Sequence, residues 1–195
     1  MTYCQEMRPS MKEKVLIIES RDASDHFHNR KEGELLTQIL KLGGISAKHF
    51  EVLDKDHFVK AVNYAKHDSI SYVHFSGHGL EKGFKLTNEF IDWENFSKLT
   101  GKLLSDKCLV FSSCLVANGV GKLLENDNTF CNAIIAPTRE IEWDEGLVAY
   151  SVFYHRAKRT NTTTNADVVL LNRVTKPGTF KYFNPYGRIT YALET

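Results

Sequence analysis

Cysteine is scarce in this chain: Cys4, Cys108, Cys114 and Cys131 are the only four in 195 residues. None forms a CxxC pair, so the sequence offers no disulfide framework, and the four read as reduced thiols of a cytosolic protein. A surplus of charge is missing too. There are 25 Lys and Arg against 24 Asp and Glu, for a net charge of +1 with His neutral. Without excess positive charge to hold a phosphate backbone, the composition argues against a dedicated nucleic-acid binder. No apolar run reaches the roughly 18 residues of a membrane-spanning helix, and Met1 to Lys14 lacks the apolar core of a signal peptide. The expectation is a cytoplasmic protein that engages neither membrane nor nucleic acid. No repeat at a period of about 20 to 50 residues is present, which sets solenoids aside.

What is present is ordinary for a globular chain: 42% hydrophobic and 25% charged residues. One domain of this length buries enough surface to fold without a disulfide or metal staple. Residues 1–13 read as a flexible arm and residues 14–195 as a single domain. Within it, apolar runs alternate with helical patterns, as in an α/β fold with a mostly parallel sheet between two helical layers.

Val15 to Ile18 reads as a buried strand, followed by a polar loop from Ser20 to Arg30. Leu35, Leu36, Ile39 and Leu40 share one helical face, and Gly43-Gly44 stops that helix. Ile45 to Leu53 is expected as a second strand. Phe58, Val62 and Ala65 mark a second helix, and Ile70 to Phe75 a third strand running into Ser76-Gly77-His78-Gly79. Residues 80–91 read as a hairpin excursion with Gly83 near its turn. Asp92 is placed to cap a helix marked by Phe96, Leu99, Leu103 and Leu104. Cys108 to Phe111 is a fourth strand ending at Ser112-Ser113-Cys114, and Leu123-Leu124 lie in a short helix after it. Ala133 to Ala136 is a fifth strand, and a longer helix carries Leu147 and Tyr154. Thr160 to Asn165 reads as a surface loop. Val168 to Val174 suits either helix or strand, Pro177-Gly178 is a turn, and Arg188 to Leu193 is expected as a last edge strand.

In parallel sheets the chemistry collects at the carboxyl ends of the strands. His78 lies just past the third strand and Cys114 just past the fourth. Neighbouring strands run about 4.8 Å apart, so if these two are neighbours, an imidazole and a thiol leave the same sheet edge as general base and nucleophile. Little thiolate exists at neutral pH without such a base. The backbone N–H groups of Gly79 and Cys114 are candidate donors to an oxyanion. Taken singly, a strand-end histidine is commonly a satisfied polar residue and a buried cysteine a small hydrophobe. The joint pattern points to chemistry.

Tyr72-Val73-His74-Phe75-Ser76-Gly77-His78-Gly79 followed by Leu109-Val110-Phe111-Ser112-Ser113-Cys114 resembles the His and Cys motifs of caspase-like cysteine peptidases, most of all the CHAT-domain branch related to caspases and separase. The segment from Ala136 to Tyr154 is similar to the post-strand segment of CHAT domains. The step from His78 to Cys114 is shorter than in caspases proper. The resemblance implies a caspase-like α/β/α sandwich with about six strands. It implies a cysteine endopeptidase working through an acyl-enzyme, with His78 as base, Cys114 as nucleophile, Gly79 as an oxyanion donor, and no cofactor. It also implies a protein or peptide substrate, and control by a regulatory partner protein, by processing or by a ligand, as in microbial defence or programmed-death systems. The alternative is a catalytically silent module that keeps the fold and assembles with a partner.

Relatives of this type choose either an acidic residue, through arginines, or a basic one, through a carboxylate. Arg139 to Glu145 is acid-rich and carries Trp143, so a pocket lined by Glu142 or Asp144 would favour Arg or Lys. Asp144 is equally placed to cap the next helix. Arg21 and Asp22, just past the first strand, share the same edge, and Arg21 would instead suit an acidic residue. Metal chemistry is a poor rival. His74 and His78 on one strand lie about 13 Å apart, too far to share a zinc ion at about 2.1 Å, and Cys108 and Cys114 fail in the same way. His26 and His28 read as solvated loop residues. Gly77, Gly79 and Gly83 have the wrong spacing for a phosphate loop. Phe180, Tyr182, Phe183 and Tyr186, like Trp93 and Phe96, are read as core or edge packing before a binding surface.

Overall fold

A computed structural model describes residues 14–160 and 165–185 of the chain. The expected N-terminal arm, most of the Thr-rich loop, Tyr186 and the Arg188–Leu193 strand lie outside the described residues.

The chain runs β1 (Val15–Ser20), α1 (Ala23–Phe27), α2 (Glu32–Leu42), β2 (Ala47–Glu51), α3 (Lys55–Val62), β3 (Tyr72–Gly77), β4 (Gly79–Leu80), β5 (Gly83–Lys85) and β6 (Phe90–Asp92). It continues through α4 (Trp93–Thr100), β7 (Cys108–Ser112), α5 (Lys122–Asn126), β8 (Ala133–Pro137), α6 (Trp143–Thr160), α7 (Asn165–Val174) and β9 (Phe180–Phe183). The main sheet has six strands in the order β2-β1-β3-β7-β8-β9. All its pairings are parallel except that of β9, which runs antiparallel to β8. The mostly parallel α/β architecture expected from the sequence is the one observed.

The apolar runs are strands because both of their faces are covered. Successive residues of a strand point to opposite sides. Leu16, Ile18, Val73, Phe75, Leu109 and Phe111 pack beneath α3, α4 and α5, whereas Val15, Ile17, Tyr72, Cys108 and Val110 pack beneath α2, α6 and α7. A strand buried on both faces has no polar alternation, which is why β1 reads as Val-Leu-Ile-Ile with every residue buried.

From β1 the sheet grows in two directions, to β2 on one side and to β3, β7 and β8 on the other. The connections after β1 and β3 therefore part company at the carboxyl edge and leave a crevice there, the usual place for a site in such a sheet. Four local features refine the expectations. The stretch expected as a loop after β1 holds the short α1, capped by Asp22 in a capping box with Asp25; its polar residues carry no apolar stripe for periodicity to detect. The excursion after β3 is a three-stranded antiparallel meander, β4-β5-β6, rather than one hairpin. Residues 165–174 are helical, with Val168 and Leu171 facing the core one turn apart. The aromatic run Phe180–Phe183 supplies the antiparallel edge strand β9. Asp92 caps α4, accepting from the Asn95 N–H at 2.7 Å, as expected.

A polar network is buried under the site between β3, α2 and α6. Ser76 Oγ donates to Glu32, the His74 ring sits 3.1 Å from the Tyr154 hydroxyl, and Tyr150 donates to the Phe111 carbonyl. Burial pushes both tyrosine hydroxyls well above their ordinary range, so both stay neutral. The network ties the ends of β3 and β7 to the helix layer. Among the described residues no helix is long and apolar enough to cross a membrane.

Candidate active site

β3 and β7 are parallel neighbours with Ser76 opposite Ser112. His78 and Cys114 are each two residues beyond that pair, so both leave the sheet edge at the same height. Two glycines make the approach possible. At Gly77 the backbone has φ +138°, and a Cβ there would lie 2.3 Å from the Ser20 carbonyl oxygen of β1. At Gly79 a Cβ would lie 2.6 Å from Val116 and 2.8 Å from the Ser113 side chain. The loops after β3 and β7 thus touch across a position that has no side chain. On the other loop, Leu115 adopts the left-handed conformation at φ 61°, a strained state for a branched residue and one that recurs beside reactive groups.

His78 and Cys114 line one cavity of about 410 Å³ together with Gly79, Glu140, Glu142 and Trp143. The His78 Nε2 lies 2.8 Å from Asp25 Oδ2 and 3.5 Å from Asp22 Oδ2, and the ring meets Trp143 edge-on at 5.8 Å. With Nε2–H held by a carboxylate, Nδ1 is left as the basic nitrogen. Asp25 is fully buried and also accepts the Asp22 N–H at 3.0 Å. The Asp22 carboxyl is held down to about 2, first by the Asp25 backbone N–H and also by Lys85 and His78.

Cys114 is partly buried, and its thiol donates to the Ile141 carbonyl at 3.7 Å. Burial pushes the thiol above its ordinary value, and the Glu140 and Glu142 carboxylates push the same way, against the backbone at Ile141 and at Cys114 itself. In this conformation the hydrogen bond of the thiol goes to Ile141 and not to His78. Cys108 and Cys131 are buried in the core. The Lys85 N–H donates to the His78 carbonyl, which puts the Gly79–Phe84 pair at a non-hydrogen-bonded position of the β4–β5 ladder and leaves the Gly79 N–H out of the pairing.

The other residues singled out in the sequence separate into two groups. Glu142 lines the cavity and Asp22 touches His78. Arg21 and Asp144 are not among the cavity's lining residues. Arg21 spans to Glu51 with two hydrogen bonds of 3.0 and 2.9 Å and is nearly buried there, which leaves no free guanidinium for a substrate. Asp144 falls inside the first turn of α6, where it accepts the Glu145 N–H at 2.9 Å. The first carbonyl of that helix to be used belongs to Glu142, which accepts the Gly146 N–H. The expected cap therefore lies two residues further along than the actual cap position, Glu142.

Asp25, Glu140, Arg30 and Lys85 were not singled out in the sequence. The signal for Asp25 was its spacing of three from Asp22, a capping-box pattern, but only the fold sets it behind His78. One oxygen from Asp22, one from Asp25 and one nitrogen of His78 lie within 4.8 Å of one another, a set with the ligand types of a cation site. Two side-chain cations already face it: Lys85 Nζ at 3.2 Å from Asp22 and Arg30 at 3.6 Å from Asp25.

No family model and no curated protein matches the chain. Among solved structures it is similar to one described as the complex of Porphyromonas gingivalis RgpB pro- and mature domains. That likeness has a TM-score of 0.43 and 13% identity over 79% of this chain. The chain spans 39% of the length of that protein. So distant a likeness does not bear on activity.

Proposed function

We propose that the chain is a cysteine endopeptidase of caspase-like type. The observation that carries this reading is the pair His78 and Cys114, at matched height on adjoining strands, lining one cavity, with a buried carboxylate on the far nitrogen of the imidazole. A scaffold has no need of that combination. The motif resemblance to the CHAT branch supports the same reading.

In the first step His78 Nδ1 takes the Cys114 proton, and the thiolate attacks the carbonyl carbon of the scissile peptide. The N–H groups of Gly79 and Cys114 receive the oxyanion. Asp25 steadies the imidazolium through Nε2–H, as a buried carboxylate does behind a catalytic histidine. The imidazolium then gives its proton to the departing amine, which leaves an acyl-enzyme. Water, deprotonated by His78, attacks the thioester, and the released acid frees the thiolate to recover its proton. Glu142, joined by Glu140 in place of Asp144, gives the cavity two carboxylates suited to a Lys or Arg side chain before the scissile bond. Control by a partner protein is part of the proposal, since an unregulated peptidase would damage its host.

An acyloxymethylketone probe with a terminal Arg should label Cys114 and no other cysteine, and cleavage of Arg- or Lys-containing peptides should stop in Cys114→Ala. His78→Ala should lower the rate about 10²- to 10⁴-fold. Equal labelling of the described cysteines, with His78→Ala unchanged, would refute the assignment. Cleavage without preference for a basic residue would remove the acidic subsite alone.

A further inference from the structure

Glu140 and Glu142 do more in this cavity than offer a surface. The Cys114 thiol is bonded to the carbonyl of the residue between them, Ile141. Both ends of this segment are fixed. The Arg139 carbonyl accepts the Leu115 N–H at 3.2 Å, directly beside the nucleophile. The Arg139 guanidinium is held by Glu145 and by Thr179 Oγ1 at 2.9 Å, and the Glu142 carbonyl opens α6. Glu140 and Glu142 themselves are exposed. The remaining charged groups of the cavity have partners: Lys85 pairs with Asp22, Arg30 with Asp25, and His78 with both aspartates. Among the described residues, Glu140 and Glu142 have no ion-pair partner. Two uncompensated carboxylates thus flank the atom that holds the thiol.

We propose that Glu140 and Glu142, on either side of the residue whose carbonyl holds the thiol, keep Cys114 in a resting state that a cationic substrate side chain, seated against the two carboxylates, releases. The site then couples recognition to activation. Negative charge beside a thiol disfavours its ionisation, and a bound ammonium or guanidinium cancels that charge and favours the thiolate. A substrate lacking the cation would meet a thiol, whereas a substrate carrying it would create its own nucleophile. The identity of the cation, a Lys or Arg side chain, rests on the peptidase reading above; the coupling rests only on the cavity.

The test follows modification of Cys114 by iodoacetamide across pH, read by mass spectrometry of the Cys114 peptide. It uses the wild-type chain, the Glu140→Gln/Glu142→Gln double variant, and Glu125→Gln as an exposed control outside the cavity. Each is measured with methylguanidinium or with tetramethylammonium at equal ionic strength, which holds screening constant. Both cavity glutamates are exposed, and far-UV circular dichroism confirms that the variants fold. The double variant should have its midpoint at lower pH, and hence modification several times faster at neutral pH. Methylguanidinium should speed modification of the wild type and of Glu125→Gln, but not of the double variant. A profile unchanged by the double substitution, or equal acceleration by both salts, overturns the coupling. Cleavage of an Arg-containing fluorogenic peptide is followed in parallel. A shifted profile without cleavage upholds the coupling and counts against the peptidase; cleavage with an unshifted profile overturns the coupling alone.

Discussion

Asp25 connects a local motif to the proposed chemistry of the site. As the third helical residue of α1 it closes a capping box with Asp22, and the same carboxylate binds His78 Nε2 at 2.8 Å. Replacing it with Asn keeps the shape but removes the charge that steadies an imidazolium. Asp25→Asn should slow peptide cleavage roughly a hundredfold while alkylation of Cys114 by a small neutral reagent continues; a rate within about twofold of wild type would remove Asp25 from the mechanism. Asp22 makes a pH prediction. Its folded carboxyl lies at about 2, below the ordinary 3.8. A depressed carboxylate stabilises the fold fully above its unfolded value, and that contribution fades as pH falls through the folded one. The thermal midpoints of wild type and Asp22→Asn should therefore differ most above pH 3.8 and converge toward about 2. A gap that widens on acidification would contradict this. His78 and Cys114 were legible in the sequence because each ends an apolar strand. Asp25 was not, because its role depends on which strand lies beside which.

At the scale of elements, β3 and β7 reach the site through glycine. Gly77→Ala would put a methyl group 2.3 Å from the Ser20 carbonyl at a φ of +138°. The expected loss is about 1–3 kcal/mol of stability by urea denaturation, together with loss of Cys114 labelling by the Arg probe as His78 is displaced. Unchanged stability and labelling would show that the β1–β3 edge has slack the structure does not display. The strands themselves were readable from their unbroken apolar runs. The capping box of α1 escaped because polar residues hid it inside an expected loop. The register of β4, β5 and β6 escaped because such short strands carry too few residues for a period of two to emerge.

At the scale of the molecule, two apolar layers hold the sheet, and the site stands on both. Phe75 of β3 stacks on Phe111 of β7 with ring centroids 4.8 Å apart, fully buried. Phe75→Ala should cost about 3–5 kcal/mol in urea, and cleavage measured well below the unfolding midpoint should fall as well, because the same two strands carry His78 and Cys114. The sequence by itself determined the alternation of buried strands and helices, since burial on both faces demands apolar runs and helical faces demand a period near 3.6. It also determined that a histidine and a cysteine end two of those strands. Only the tertiary structure decided that β3 and β7 adjoin in matched register, that Asp25 stands behind the imidazole, and that Glu140 joins Glu142 in the cavity while Arg21 is bound to Glu51. Strand order and register arise from contacts between residues far apart in the chain, and local periodicity carries no record of which partner each strand will choose.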